Sequence, residues 1–92
     1  MRVFKNVNSV TLLGTVVTDV SLRIDNNKVH VCSFRLLTTR EYVSSEKTIK
    51  AEKEFHRITA WGRLAKHCAE LIVNGSTVMV MGRLKYLKNE SQ

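Results

Sequence analysis

Residues 54–62, which read EFHRITAWG, constrain the fold of this chain more than any other part of it. They are rich in β-branched and aromatic residues, a composition that favours a β-strand. Side chains of a strand alternate between its two faces. One face is therefore small and largely apolar, as a core requires, and carries His56, Ile58 and Ala60. The opposite face carries Phe55, Arg57, Thr59 and Trp61.

The aromatic face of this strand has two interpretations. Single-stranded nucleic acid would use it directly, because bases stack on aromatic rings while an arginine neutralises phosphate or stacks in turn. The alternative is that the face is buried against a partner subunit or a helix. The strand by itself leaves both interpretations open.

The charge balance agrees with a nucleic-acid partner, although a merely cationic soluble protein is the alternative that charge alone leaves open. Fifteen Lys and Arg residues against eight Asp and Glu give a formal net charge of +7. Such a balance points to polyanionic partners, with nucleic acid ahead of anionic membranes. No apolar run approaches the roughly 20 residues that cross a bilayer, and no basic amphipathic helix is predicted. We therefore expect no membrane partner.

An enzymatic function is not predicted. The three histidines, His30, His56 and His67, lack the spacing of metal ligands. The chain has no Gly-x-Ser-x-Gly elbow and no glycine-rich phosphate loop. We expect neither catalysis nor a metal or cofactor.

The two cysteines, Cys32 and Cys68, fall in different predicted elements and at apolar positions. They form no Cys-x-x-Cys pair and no Cys/His ligand set. We interpret them as reduced core residues, consistent with a reducing compartment such as the cytoplasm. The sequence leaves a disulfide between them open.

The remaining elements follow in order along one domain, residues 1–92. The first strand spans residues 7–17, and Gly14 inside it indicates a bulge or sharp bend. The other predicted segments are a connection at 18–27 with a short extended piece at 21–24, a second strand at 29–39, a charged hairpin arm at 40–53, a helix from Arg63 closed by Asn74 and Gly75, and a last strand at 76–86. Residues 1–6 form an arm and residues 87–92 a polar end.

Basic residues recur on strand faces opposite the small apolar ones, at Arg35, Arg57, Arg83 and Lys85. They form a basic groove if those faces make one surface, and otherwise they are solvated charges. Met79 and Met81 share their strand face with Arg83 and Lys85, either as a second buried layer or as an adaptable contact surface.

A helix between the third and fourth strands of a small curved β-protein indicates an OB-fold, a five-stranded barrel that binds oligonucleotides. The predicted class is thus mainly β, with the fifth strand apparently missing from this chain. Either the chain ends early, or the barrel stays open and depends on a partner to cover its edge.

A series of short motifs resembles the bacterial-type single-stranded DNA-binding protein family, which includes bacterial, phage and organellar members. The motifs run in order from residue 7 to residue 85: NSVTLLG at 8–14, FRL at 34–36, EFHRI at 54–58, WGRLA at 61–65, GS at 75–76 and GRL at 82–84. The resemblance implies an OB-fold that usually assembles as a homotetramer and wraps single-stranded DNA in replication, recombination and repair.

The resemblance also implies roles for individual residues. Stacking on bases falls to Tyr42, Phe55 and Trp61, while Arg57 and Arg63 match basic positions near the DNA path. The predicted phosphate contacts are therefore four: Arg57 and Arg63 from the resemblance, and Arg35 and Lys85 from the strand faces. Tyr42 could equally pack at the base of the hairpin. The family places a histidine at a subunit contact, and His56 matches it.

The chain departs from the family at its end. Many members have a tryptophan shortly after the fourth strand, where this chain has YLKN at residues 86–89. Many also have a basic residue before Gly-Ser, where this chain has Asn74. The acidic tip that recruits replication and repair enzymes has no counterpart here. Such partners are therefore expected only if an acidic tail follows Gln92. The resemblance implies the cytoplasm and its nucleoid, or an organellar matrix.

Overall fold

The computed structural model describes residues 6–86. Its elements follow the order β1 Val10–Val16, β2 Ser21–Ile24, β3 His30–Val43, β4 Ile49–Trp61, α1 Arg63–Leu71 and β5 Thr77–Gly82. The mainly-β prediction with one helix before the last long strand is confirmed. The nine-residue α1 is too short to cross a membrane, and the described part of the chain has no longer helix.

All five strands form one antiparallel sheet around β3. β4 pairs along one side of β3, while β2 and β1 pair in turn along the other side, and β5 continues beyond β1. The extended piece predicted at residues 21–24 is the short strand β2. Up to residue 86, the last one described, no strand follows β5, where the strand predicted to be missing would stand. Within residues 6–86 β4 and β5 do not pair with each other, and the barrel is not closed.

Gly14 marks the point where β1 passes from one neighbour to another. β1 pairs with β5 from Val10 to Thr15, but with β3 only at Thr15 and Val16. A Cβ atom on Gly14 would overlap the carbonyl oxygen of Leu37 in β3. The close approach of two backbones therefore explains the glycine that the sequence placed inside this strand.

The core consists of two adjoining clusters of buried side chains. Val16, Phe34 and Leu36 form the first, and Cys32, Ala60 and Ala65 form the second. The strand alternation predicted for residues 32, 34, 36, 58 and 60 is confirmed, since each of these side chains faces one of the clusters.

The predicted hairpin arm is a continuation of two strands. The pairing of β3 with β4 runs without interruption from Val31 and Trp61 to Val43 and Ile49. The prediction of a second strand ending at residue 39 was too short, because this end of the hairpin projects beyond the core and is exposed on both faces. Without a buried face, no apolar alternation marks the strand.

The end of α1 also differs from the prediction. The helix stops at Leu71, and Ile72 turns to an extended conformation that packs its side chain on the first core cluster. Gly75 adopts its positive φ of 98° in the turn that follows, where its N–H donates to the carbonyl of Val16. Burial of Ile72 thus ends the helix before Asn74 and Gly75.

The turn between β2 and β3 holds Lys28 in a left-handed conformation, with φ of 61°. This conformation costs a residue with a Cβ atom about 1–2 kcal/mol. Glycine avoids this cost, but it loses more conformational entropy on folding, so the net gain in stability is smaller. We expect Lys28→Gly to raise the free energy of unfolding in urea by about 0.5–1 kcal/mol. Lys66→Gly, the same change inside α1, should lower it by about 1 kcal/mol. Equal effects of the two changes would contradict this account.

Candidate nucleic-acid interface

The register of β3 with β4 assembles one exposed face. Arg35 lies directly opposite Arg57, and Leu37 lies opposite Phe55, so these side chains share a side of the sheet with Trp61. Val31, directly opposite Trp61, is buried and is not part of the exposed surface. Phe55 is 52% exposed and Trp61 50% exposed. The aromatic face is thus open in the single chain, while Ala60 on the other side is buried.

Each ring on this face is accompanied by a cation. The guanidinium carbon of Arg35 lies 4.9 Å from the ring centre of Phe55, and Nζ of Lys85 lies 5.7 Å from that of Trp61. Such contacts contribute about 0.5–1 kcal/mol at exposed sites. They place a positive charge at the rim of each stacking surface, where a phosphate would follow a stacked base.

Arg35 and Arg57 form a like-charged pair across the two strands. Like charges directly opposite each other destabilise a sheet. Among the described residues the ion pair of this hairpin lies farther out, between Arg40 and Glu52, and includes neither arginine. The Arg35–Arg57 pair is therefore a point where a bound anion would lower the free energy of the protein.

Tyr42 lies apart from the other two rings. By strand alternation it is on the opposite face of the hairpin, with Arg40 and Glu52. Arg40 lies 5.2 Å from the Tyr42 ring centre and 3.3 Å from the Glu52 carboxylate. Arg40 was not predicted as a site residue. Its spacing of two residues from Tyr42 could have indicated it, because residues two apart in a strand lie on the same face.

Arg63 is the first residue of α1, two positions beyond Trp61. The cap residue Gly62 has no side chain to bond the free N–H groups, and the first turn contains no acidic residue. The positive end of the helix dipole and the charge of the Arg63 guanidinium therefore reinforce each other at the N-terminus of α1, where they favour the binding of an anion.

An open groove of about 980 Å³ runs between β4 and β5. Ile58, Val78 and Val80 contribute apolar side chains to it, and Trp61 lines it as well. Four basic residues also line it: Arg23, Arg57, Arg83 and Lys85. The structure thus brings Arg57, Arg83 and Lys85 of the predicted basic groove together with Trp61, but Arg35 does not line this groove. Arg83 and Lys85 follow the end of β5 at Gly82 and do not lie on a strand face as predicted.

The two methionines of β5 are exposed, Met79 at 61% and Met81 at 78%. They are therefore not a second buried layer in this chain, and the contact-surface interpretation fits them. Both line the groove that contains Trp61.

His56 lies on the face opposite Phe55 and is half-buried. Its Nε2 shares a hydrogen bond of 2.8 Å with Oγ1 of Thr38. The imidazole is thus held by its own chain at one nitrogen. Its role at a subunit contact stays a prediction.

The comparisons with known proteins agree on one family. The model of the family described as the single-strand binding protein family matches residues 7–92. The chain is 32% identical over 81 residues to the single-stranded DNA-binding protein 1 of Chlorobaculum tepidum, covering 88% of this chain and 50% of that protein. It is 29% identical over 85 residues to the single-stranded DNA-binding protein of Bifidobacterium longum, covering 90% of this chain and 39% of that one.

Solved structures support the fold. A complex of the Plasmodium falciparum SSB with single-stranded DNA matches 99% of this chain and 82% of its own, with a TM-score of 0.86 and 23% identity. The wild-type single-stranded DNA binding protein of Thermus aquaticus matches 94% of this chain and 42% of its own, with a TM-score of 0.81 and 23% identity. The chain spans at most about half the length of the curated relatives it matches.

Proposed function

Because this chain belongs to the single-strand binding protein family, we propose that it binds single-stranded DNA without reading its sequence. The role is non-catalytic and needs no cofactor. Binding of this kind protects exposed strands in replication, recombination and repair.

The exposed row of Phe55, Arg57 and Trp61 is the observation that carries the proposal. Successive bases would stack on the two rings, and the arginine between them would neutralise the connecting phosphate. Arg35, directly across from Arg57, adds a second charge at the same point. A strand leaving Trp61 would then meet Lys85 on one side and Arg63 on the other.

The arrangement supports sequence-independent recognition of a single strand. Every base has an aromatic face, and the phosphates are the same at each position. In a duplex the base faces are already stacked on one another, so the rings of this face would find nothing to bind. Tyr42 would contact only a strand that passes around to the other face of the hairpin.

Self-association as a homotetramer is part of the proposal, with His56 at a subunit contact. It is supported by the large apolar side chains that the single chain leaves exposed, among them Leu13, Met79 and Met81. Partners in replication and repair would be recruited only if an acidic tail follows Gln92. The proposed location is the cytoplasm and its nucleoid, or an organellar matrix.

A fluorescence titration of Trp61, the one tryptophan of the chain, tests the function directly. We expect oligo-dT to quench the emission, and duplex DNA of the same length to leave it unchanged. With four phosphate contacts, from Arg35, Arg57, Arg63 and Lys85, the affinity should fall about fiftyfold between 50 and 200 mM salt. A matched RNA oligomer that binds better than DNA would assign the site to RNA instead.

Arg57→Gln provides the matched measurement for the phosphate contacts. It should reduce the slope of log affinity against log salt by about 0.7, the loss of one single-strand phosphate contact. Lys66→Gln removes an exposed charge from α1 outside the groove and should leave the slope unchanged. If no nucleic acid changes the emission, the aromatic face is a protein interface and the proposal is wrong.

A further inference from the structure

The two cysteines of the chain meet in the core. Cys32 of β3 is fully buried, and Cys68 of α1 is half-buried. Cys68 packs against the cluster that Cys32 forms with Ala60 and Ala65. Both thiols are free. The sequence left their relationship open, and the packing of α1 on β3 brings them together.

Cys68 affects the chemistry of Cys32. Burial and, after it, the neighbouring Cys68 raise the pKa of the Cys32 thiol above its ordinary value. Cys32 is therefore held as the neutral thiol at neutral pH, and it is a poor first nucleophile since the thiolate is the reactive form. Reaction with an external oxidant must begin at the other sulfur.

The open groove gives that sulfur access to small molecules. Cys68 lines the groove between β4 and β5, whereas Cys32 does not. A small oxidant that enters the groove thus reaches Cys68 first, and Cys68 packs against the cluster that contains Cys32. This order is the one that disulfide formation needs, an accessible thiol with a second thiol next to it.

We propose that Cys32 and Cys68 form an oxidisable dithiol that closes to an intramolecular disulfide and ties α1 to β3. With the azo compound diamide as oxidant, the Cys68 thiolate adds to one nitrogen of the N=N bond, and the other nitrogen takes up a proton. The Cys32 thiolate, formed by loss of its proton, then attacks the Cys68 sulfur. The S–N bond breaks, and the leaving nitrogen takes up a proton to give the hydrazine. Two electrons pass from the thiols to diamide.

The disulfide would stabilise the protein and leave its aromatic face unchanged. It closes the loop from residue 32 to residue 68 and so restricts the unfolded chain, which should raise the melting temperature by about 15 °C. Cys32 lies opposite Ala60 on the core side of the sheet, and the neighbouring Trp61 points to the other side. The affinity for oligo-dT should therefore change less than twofold.

The test treats the whole chain with diamide under native conditions and then alkylates it with a maleimide in guanidinium. We expect no maleimide on either cysteine, an intact mass lower by about 2 Da than that of the reduced chain, and a peptide joining Cys32 to Cys68. The melting temperature should rise and return to its original value after reduction. The product should not depend on protein concentration.

Two variants separate this result from a general effect of oxidation. Cys68→Ala and Cys68→Ser each remove the accessible thiol, one as an apolar and one as a polar replacement, and diamide should leave the melting temperature of both unchanged. Two reactive thiols after diamide treatment, or a cross-link found only between chains, would overturn the proposal. DNA binding is read separately, so a failure here leaves the proposed function standing.

Discussion

Replacing Trp61 by Ala is expected to weaken the binding of oligo-dT by a factor on the order of ten. The ring is half exposed on the aromatic face, and Nζ of Lys85 lies 5.7 Å from its centre. Loss of one stacked base costs about 1–3 kcal/mol, which corresponds to about five- to 150-fold in affinity. The variant also loses the ring that holds Lys85 beside the strand. Fluorescence anisotropy of a labelled oligo-dT measures the effect without tryptophan.

Trp61→Phe is the matched control for this prediction. It keeps an aromatic face of smaller area, so it should retain most of the affinity that Trp61→Ala loses. Both variants should unfold at nearly the same urea concentration as the original chain, because the ring contributes to an exposed face and not to the core clusters. Equal binding by the alanine variant would remove Trp61 from the interface.

Replacing Gly14 by Ala is expected to lower the free energy of unfolding by about 3 kcal/mol, the upper end for overpacking. The new Cβ would overlap the backbone carbonyl of Leu37. A side chain could rotate away from such an overlap, but a strand held by its hydrogen bonds cannot. The pairing of β1 with β3 is confined to Thr15 and Val16, next to the overlap, and would separate first.

Gly82→Ala makes the same chemical change in β5, where no atom lies within 4 Å of the added Cβ. Its stability should change by less than about 0.5 kcal/mol, as is usual for exposed positions. Urea unfolding followed by circular dichroism compares the two variants. A similar loss in both would show that Gly14 is a flexible point of β1 and not a close contact.

Strand alternation allowed much of the fold to be predicted. Where one face is buried, as at Phe34 and Leu36, the period of two in the sequence is a direct imprint of the core. The same signal is absent from the outer end of the hairpin, because Val43 and Ile49 there are exposed and only backbone pairing holds the strands. The end of α1 was predicted incorrectly for a different reason. The packing of Ile72 on the core ends the helix before Asn74 and Gly75, the residues that were predicted to close it.

Part of the site could be predicted from a single strand, and the rest depends on how two strands pair. The common face of Phe55, Arg57 and Trp61 follows from spacing within β4 alone. The cross-strand partners do not, since they depend on the register that places Arg35 opposite Arg57. A shift of one residue would exchange every such pair. For this reason the position of Arg35 beside Phe55 became visible only in the structure.

The Arg35–Arg57 pair has a consequence for how this protein can change over evolution. Selection for folding stability alone would replace one of the two arginines by Glu, since a cross-strand ion pair stabilises the sheet where two like charges oppose it. The same replacement would put a carboxylate in the path of the phosphates. Here the stability of the free protein and its affinity for a polyanion are in direct conflict. On the proposed function, the residues at these two opposing positions are determined by the ligand and not by the fold.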